Sequence, residues 1–311
     1  MGPSGGCVTE APIMPLAEFA ESFDRRAAEA PDWMFPPAAP PLPADALGLR
    51  FRVEDVLDTV VALQRAEWLQ DGVFVGPRVM PQVHRELLDA ARVLGVAVPP
   101  SIVGGDSLRS QGAYGTDARA FVKLSAYFAQ SASPLERQFV IGRSMGLIAA
   151  QQVTPYTLYA LLVDQSGLRS VARRNLGPVL EVVLAPLSLG VRIALARWHR
   201  AADISADRAG LLCCRDVGAA GRAMLRIALG VSPAVDPADY VEQVRRSKVD
   251  SGPSRWAEFL ASNPWTHKRM QALELFAQSE VFATHTGITP EGELLTKEEL
   301  DRRTAAILGV V

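Results

Sequence analysis

Between Val53 and Gln70, apolar side chains recur at Val53, Val56, Leu57, Val60, Val61 and Leu63, the three-to-four-residue interval that lines one face of an α-helix. After breaks at Gly72 and Gly76, the same interval predicts a second helix over 81–94. The pattern then changes. Residues 101–105 (Ser-Ile-Val-Gly-Gly), 112–115 (Gly-Ala-Tyr-Gly) and 120–124 (Ala-Phe-Val-Lys-Leu) are short apolar runs between turn residues, which predicts the strands of one small sheet. Beyond Ser133 the helical interval returns, with helices expected over 135–150, 155–163, 168–200, 201–214, 217–229, 237–246 and 265–279. The first of these has a well-specified start: Ser133 at the N-cap, Pro134 at the first helical position and Glu136 placed to close a capping box.

Residues 16–30 also carry helical periodicity, whereas 31–43 (Pro-Asp-Trp-Met-Phe-Pro-Pro-Ala-Ala-Pro-Pro-Leu-Pro) must be extended because successive prolines forbid a helix. The chain therefore divides into an N-terminal arm with a short helix (1–30), a proline-rich linker (31–50), one large domain (51–283) and a C-terminal tail with a short helix (284–311). Trp33 and Phe35 are placed either to clamp the arm to the body or to engage another subunit. The fold class expected is α+β, mostly helical, with one small β-sheet.

Composition removes several function classes. A chain of 311 residues, 49% of them hydrophobic, can bury a large core. Its net charge of -2 offers no basic excess for a phosphate backbone, so no nucleic acid is expected as a partner. The most apolar stretch, 178–195, is interrupted by Glu181, Pro186 and Arg192 and falls short of the roughly 20 apolar residues of a bilayer crossing, so no membrane span is expected. Cys7, Cys213 and Cys214 supply neither a disulfide framework nor C-x-x-C spacing. With no basic, then apolar, leader at the amino terminus, a reducing, cytoplasmic setting is expected.

The candidate chemistry lies on the helix over 135–150. It has the frame of a zinc-peptidase helix, in which H-E-x-x-H puts two imidazoles on one face with a general-base glutamate between them. Here those positions are Arg143, Ser144 and Leu147. A guanidinium that stays protonated has no lone pair for a cation, and leucine has none at all. Phe139, Arg143, Leu147 and Ala150 share a stripe, which points Arg143 inward. Sixty residues on, Asp203 and Asp207 stand one helical turn apart, and two inward carboxylates require a positive partner. Arg143 fills that role, with Arg208 or Arg269 as alternatives for Asp207. Ser144 sits in Gly142-Arg143-Ser144-Met145-Gly146, but a nucleophile elbow needs a strand and a strained turn, and this is mid-helix. His84, His199, His267 and His285 are scattered. Only His199, four residues before Asp203, shares a face with a carboxylate, and it is expected at the surface or behind the site.

Three segments in order resemble the HtpX-like gluzincins, metallopeptidase family 48, which includes the CAAX prenyl proteases. They are the helix with Gly142 and Gly146; Asp203-x-x-Ala206-Asp207-Arg208-Ala209-Gly210; and Asn263-Pro264-x-x-His267-Lys268-Arg269-x-x-Ala272-Leu273. The likeness extends over about 53–283. It implies a zincin-like fold, a glutamate ligand where Asp203 stands, an orienting aspartate at Asp207 and a histidine where Asn263 precedes Pro264. It also implies that Phe121, Val122, Lys123 and Leu124 resemble an edge strand that lays out an extended substrate, with Arg269 beside the cleft. Zinc is expected in the family, but its ligands are missing here, so no cofactor is expected. The reading is a pseudoprotease serving as a protein-binding, regulatory or scaffold subunit, whose partner is a protein or peptide, an active peptidase or a second copy. The alternatives are a zinc endopeptidase with non-standard ligands (Asp203, His199, His267 and Asp207 converging) and a structural subunit of a larger assembly.

Overall fold

The structure, a computed structural model, describes residues 30–36, 47–105, 108, 111–163, 168–177, 189–229, 236–246 and 266–309. The expected arm helix at 16–30, Cys7 and the Asn263-Pro264 pair lie outside the described residues, as does most of the apolar stretch over 178–195. In chain order the elements are α1 (Leu47–Trp68), β1 (Gly72–Phe74), α2 (Pro81–Leu94), β2 (Ser101–Gly104), β3 (Gly112–Tyr114), β4 (Phe121–Leu124), α3 (Ala126–Ser131) and α4 (Pro134–Ala149). After these come α5 (Val153–Val163), α6 (Leu168–Leu176), α7 (Leu189–Cys214), α8 (Val217–Leu229), α9 (Pro237–Arg246), α10 (Thr266–Ala277), α11 (Glu280–Thr286) and α12 (Lys297–Leu308). The protein is thus α+β and mostly helical, with one mixed four-stranded sheet in the order β1-β2-β4-β3. No helix among the described residues is long and apolar enough to cross a membrane.

Helix α4 lies at the centre of the core, and its sequence explains why. Ser133 Oγ accepts from the Glu136 amide while the Glu136 carboxylate accepts from the Ser133 amide at 2.8 Å, the reciprocal cap expected from the sequence. Next to it, Arg137 forks onto the buried Glu86 of α2, with Nη2–Oε1 at 2.7 Å and Nε–Oε2 at 2.9 Å, and also caps the end of α3 through the Ala132 carbonyl at 2.6 Å. Toward α7 the helix presents glycines. A Cβ on Gly142 would fall 2.7 Å from Cys213 Sγ, one on Gly146 would overlap Ala209 Cβ, and one on Gly210 of α7 would fall 2.7 Å from the Phe139 carbonyl. The two helices therefore approach at a distance that only small residues permit, which brings the side chains flanking the seam within bonding reach.

The structure departs from the expected element boundaries in several places. Residues 189–214 form one helix, with no break at 200/201, because nothing there interrupts the backbone ladder; the expected helix over 168–200 instead ends at Leu176, where Gly177 takes a left-handed φ of 49°. Helix α5 starts two residues early because Asp117, beyond the end of β3, accepts from the Val153 amide at 2.8 Å and leaves Pro155 in the first turn. Strand β1 and the serine-capped short helices α3 and α11 were not expected.

Trp33, Met34 and Phe35 are buried against the chain's own body. The Phe35 amide donates to Ser205 Oγ at 3.0 Å, Arg208 Nη1 donates to the Trp33 carbonyl at 3.2 Å and Lys297 Nζ to the Met34 carbonyl at 2.8 Å. Of the two placements open to the linker, this one is clamping to the same subunit.

Candidate functional site

Across the α4–α7 seam, Arg143 meets both aspartates. Its Nη2 donates to Asp203 Oδ1 at 3.1 Å and its Nε to Asp207 Oδ1. The aspartate side chains are 2% and 1% exposed and the arginine 17%. A second guanidinium, Arg269 of α10, forks onto Asp207, with Nε–Oδ2 and Nη2–Oδ1 both at 2.7 Å. Tyr156 of α5 donates its hydroxyl to Asp203 Oδ1 at 2.9 Å. His199 Nδ1, one turn before Asp203, lies 3.7 Å from Oδ2, and its ring is flanked by Tyr156 and Tyr159 with centroids 4.3 and 4.1 Å away.

Charge explains how two carboxylates stay buried here. Burial alone would raise the Asp203 pKa, but His199, Arg269 and Arg143 and the Tyr156 hydroxyl outweigh it, and the carboxyl sits below its ordinary value. Tyr156 is pushed well up, first by burial and then by the negative charge of Asp203, so it stays a donor. Two guanidiniums face two carboxylates, and these ion pairs tie α4, α7 and α10 together.

Beside the cluster is a cavity of about 50 Å³ whose lining includes Gln111 to Tyr114 of the sheet edge and Arg143, Ser144 and Leu147 of α4. Ser144 does not project a free nucleophile into it, because its Oγ bonds the Val140 carbonyl at 2.9 Å as helical serines do.

A family model described as Peptidase family M48 matches residues 77–277, more than half of the chain. The chain belongs to that family. The match runs from α2 to α10 and so contains every residue of the Arg143 cluster. No curated protein and no solved structure gives a significant match to the chain.

A zinc ion does not fit the donors that this member of the family presents. Arg143 and Leu147, which line the cavity beside the two aspartates, carry no lone pair for a cation. Asp203 Oδ1 already accepts from Arg143 and Tyr156, and both oxygens of Asp207 are taken by guanidiniums. A cation placed there would face two fixed positive charges and one available carboxylate oxygen, where a zinc site needs three or four donors. Among the described residues no group of three or more His, Cys, Asp or Glu side chains is placed to hold a metal ion.

One site expectation needs correction. Phe121, Val122, Lys123 and Leu124 do not form an edge strand: β4 pairs in parallel with β2 and antiparallel with β3, so both its backbone edges are used. The terminal strand on the cavity side is β3, which pairs with β4. Of the two placements expected for His199, at the surface or behind the site, the structure gives the second: it is fully buried beside Asp203, where the unbroken α7 turns it under the tyrosines of α5. Of the two alternatives for Asp207, Arg269 joins it, while Arg208 turns the other way to Asp301 at 2.8 Å. Tyr156 was missed altogether. It lies in an apolar helix 47 residues from its partner, and nothing local to it in the sequence points to a carboxylate.

Proposed function

We propose that this chain is a catalytically inactive metallopeptidase-like protein that binds a protein or peptide partner in the cleft between β3 and α4. The observation that supports the reading is the bonding of Arg143 to Asp203 and Asp207: a fixed organic cation stands against the two buried carboxylates. Charge balance is kept in this arrangement. Water activation is not, because a guanidinium that stays protonated neither acidifies water nor accepts a proton. The cleft is lined by β3, the terminal strand of the sheet, together with Arg143, Ser144 and Leu147 of α4. Free thiols at Cys213 and Cys214 support a reducing compartment as part of the same proposal.

The test is metal analysis of the purified protein after equilibration with zinc, together with cleavage of a fluorogenic casein substrate. No retained zinc and no cleavage are expected. Stoichiometric zinc whose removal by chelator abolishes cleavage overturns the proposal.

A further inference from the structure

The two ends of the sheet differ in exposure. On β3, Ala113 is 1% exposed, whereas on β1 Val73 is 46% exposed and Phe74 50%, one on each face of the sheet. With Val79 in the turn that follows, three of the eight large hydrophobic side chains exposed among the described residues fall within residues 73–79. No charge and no proline stands within Gly72-Val73-Phe74, although these are the usual devices that keep an edge from pairing.

Backbone alternation determines which groups this edge offers. β1 runs antiparallel to β2, and Val75 donates its amide to the opposite residue Ser101 at 2.9 Å, so Val75 and Val73 are the residues that bond toward β2. Gly72 and Phe74 therefore turn N–H and C=O away from the sheet, and among the described residues no strand lies beyond them. The phase agrees on the far side of β2: the Val122 amide bonds the Pro100 carbonyl, which puts Ile102, the residue opposite Phe74, on the β4 side. Gly76 cannot lengthen the edge, because its amide is already given to the Val79 carbonyl at 2.8 Å within the turn.

We infer that β1 is the interface of a two-fold dimer, in which the β1 edges of two copies of this chain pair antiparallel with Gly72 of each opposite Phe74 of the other. This surface lies at the far end of the sheet from the cleft and does not depend on the reading of the cleft. The register follows from the backbone. Setting Phe74 against itself would bring Gly72 to Gly76, whose amide is spent, whereas Gly72 opposite Phe74 uses every outward group, with two hydrogen bonds in each of two equivalent pairs. Side chains agree with it: Gly72 puts nothing between the Phe74 rings, which become diagonal neighbours on one face, and Val73 meets Val73 on the other. Charge agrees as well. Asp71 and Arg78 are exposed toward opposite ends of the edge, and the two-fold brings Asp71 of each copy beside the turn that carries Arg78 of the other. An identical strand thus supplies the hydrogen bonds, the apolar contact and the opposite charges together.

Sedimentation equilibrium of the full chain at rising concentration tests this, and the mass is expected to climb from that of one chain toward that of two. Residue 73 faces itself across the axis, so Val73→Lys and Val73→Glu are each expected to weaken association about tenfold or more, and an equimolar mixture of the two to restore it. Phe74→Pro, which removes an outward N–H that β2 does not use, is expected to leave a monomer. Val73 is half in water, so its two variants are expected to melt as the dilute wild-type monomer does. A wild-type chain that stays monomeric at every concentration overturns the inference and leaves the edge to a different protein. A dimer that survives in Phe74→Pro or in Val73→Lys overturns it by placing the interface elsewhere, and a mixture that associates no more tightly than its components overturns the register.

Discussion

Arg143 Nη2 and Asp203 Oδ1 are 3.1 Å apart, although their residues are separated by 60 positions and belong to different helices. The pair is mostly out of water, so neither partner is stable without the other: an unpaired buried charge costs several kcal/mol, far more than the net benefit of the pair. Arg143→Met and Asp203→Asn are each expected to destabilise by roughly 3–5 kcal/mol, and the double variant by at least 1 kcal/mol less than their sum. Urea unfolding of the three variants measures this. Additivity within about 0.5 kcal/mol refutes the coupling.

The depressed Asp203 carboxyl sets a pH dependence. Its folded value lies below its unfolded one, so its contribution is complete above the unfolded value near 4 and is lost as pH falls through the folded value. Wild-type stability is therefore expected to fall below about pH 4 more steeply than that of Asp203→Asn. Parallel curves from unfolding at a series of pH values would contradict the assignment.

Lys123 gives the opposite window. Burial on the inner strand β4 lowers it to about 8, while in the unfolded chain it titrates near 10.4. Between those values the folded protein has released a proton that the unfolded chain still holds, so stability rises with pH across the interval. Cys213 and Cys214, pushed up by burial, act in the reverse sense, so the quantity to measure is the difference between wild type and Lys123→Met. That difference is expected to shift in favour of wild type from pH 8 to pH 10; a flat difference disproves it.

Gly146 is the tightest point of the α4–α7 seam. Gly146→Ala improves helix propensity by about 1 kcal/mol but drives its methyl into Ala209, and overpacking of a filled core costs roughly 1–3 kcal/mol. Net destabilisation is expected, and it is expected to be smaller in Gly146→Ala with Ala209→Gly, where the overlap is relieved. Thermal melts of both variants decide this.

What was legible in the sequence had local causes. The Ser133 cap, the 81–94 helix and the three runs that became β2, β3 and β4 depend on residues within a few positions of one another, and all are present. The pairing of Arg143 with two aspartates was legible too, because periodicity turned each inward and buried charges need partners. Strand order was not. Whether β4 is an edge depends on where β3 docks, and the pattern of apolar residues does not encode that for a three-residue strand. Tyr156 was invisible for the same reason: it acts across the fold on a carboxylate to which no local spacing connects it.

Phe35 is an anchor of the proline-rich segment, and its removal separates docking from folding. Its ring is 3% exposed and lies 5.3 Å from the Arg208 guanidinium, which also faces Phe276 at 5.3 Å and bonds Asp301, Thr304 and the Trp33 carbonyl. Truncating a buried phenylalanine costs roughly 3–5 kcal/mol when the surroundings stay in place. Here the segment has a cheaper response, which is to leave the body, and the loss is capped at the free energy of that release. Phe35→Ala is therefore expected to remove hydrogen-exchange protection from the Phe35 amide, which is bonded to Ser205 Oγ, while α4 amides exchange as in wild type. Protection lost throughout α4 would make the segment an integral part of the core, and protection unchanged at residue 35 would show that the ring does not hold it.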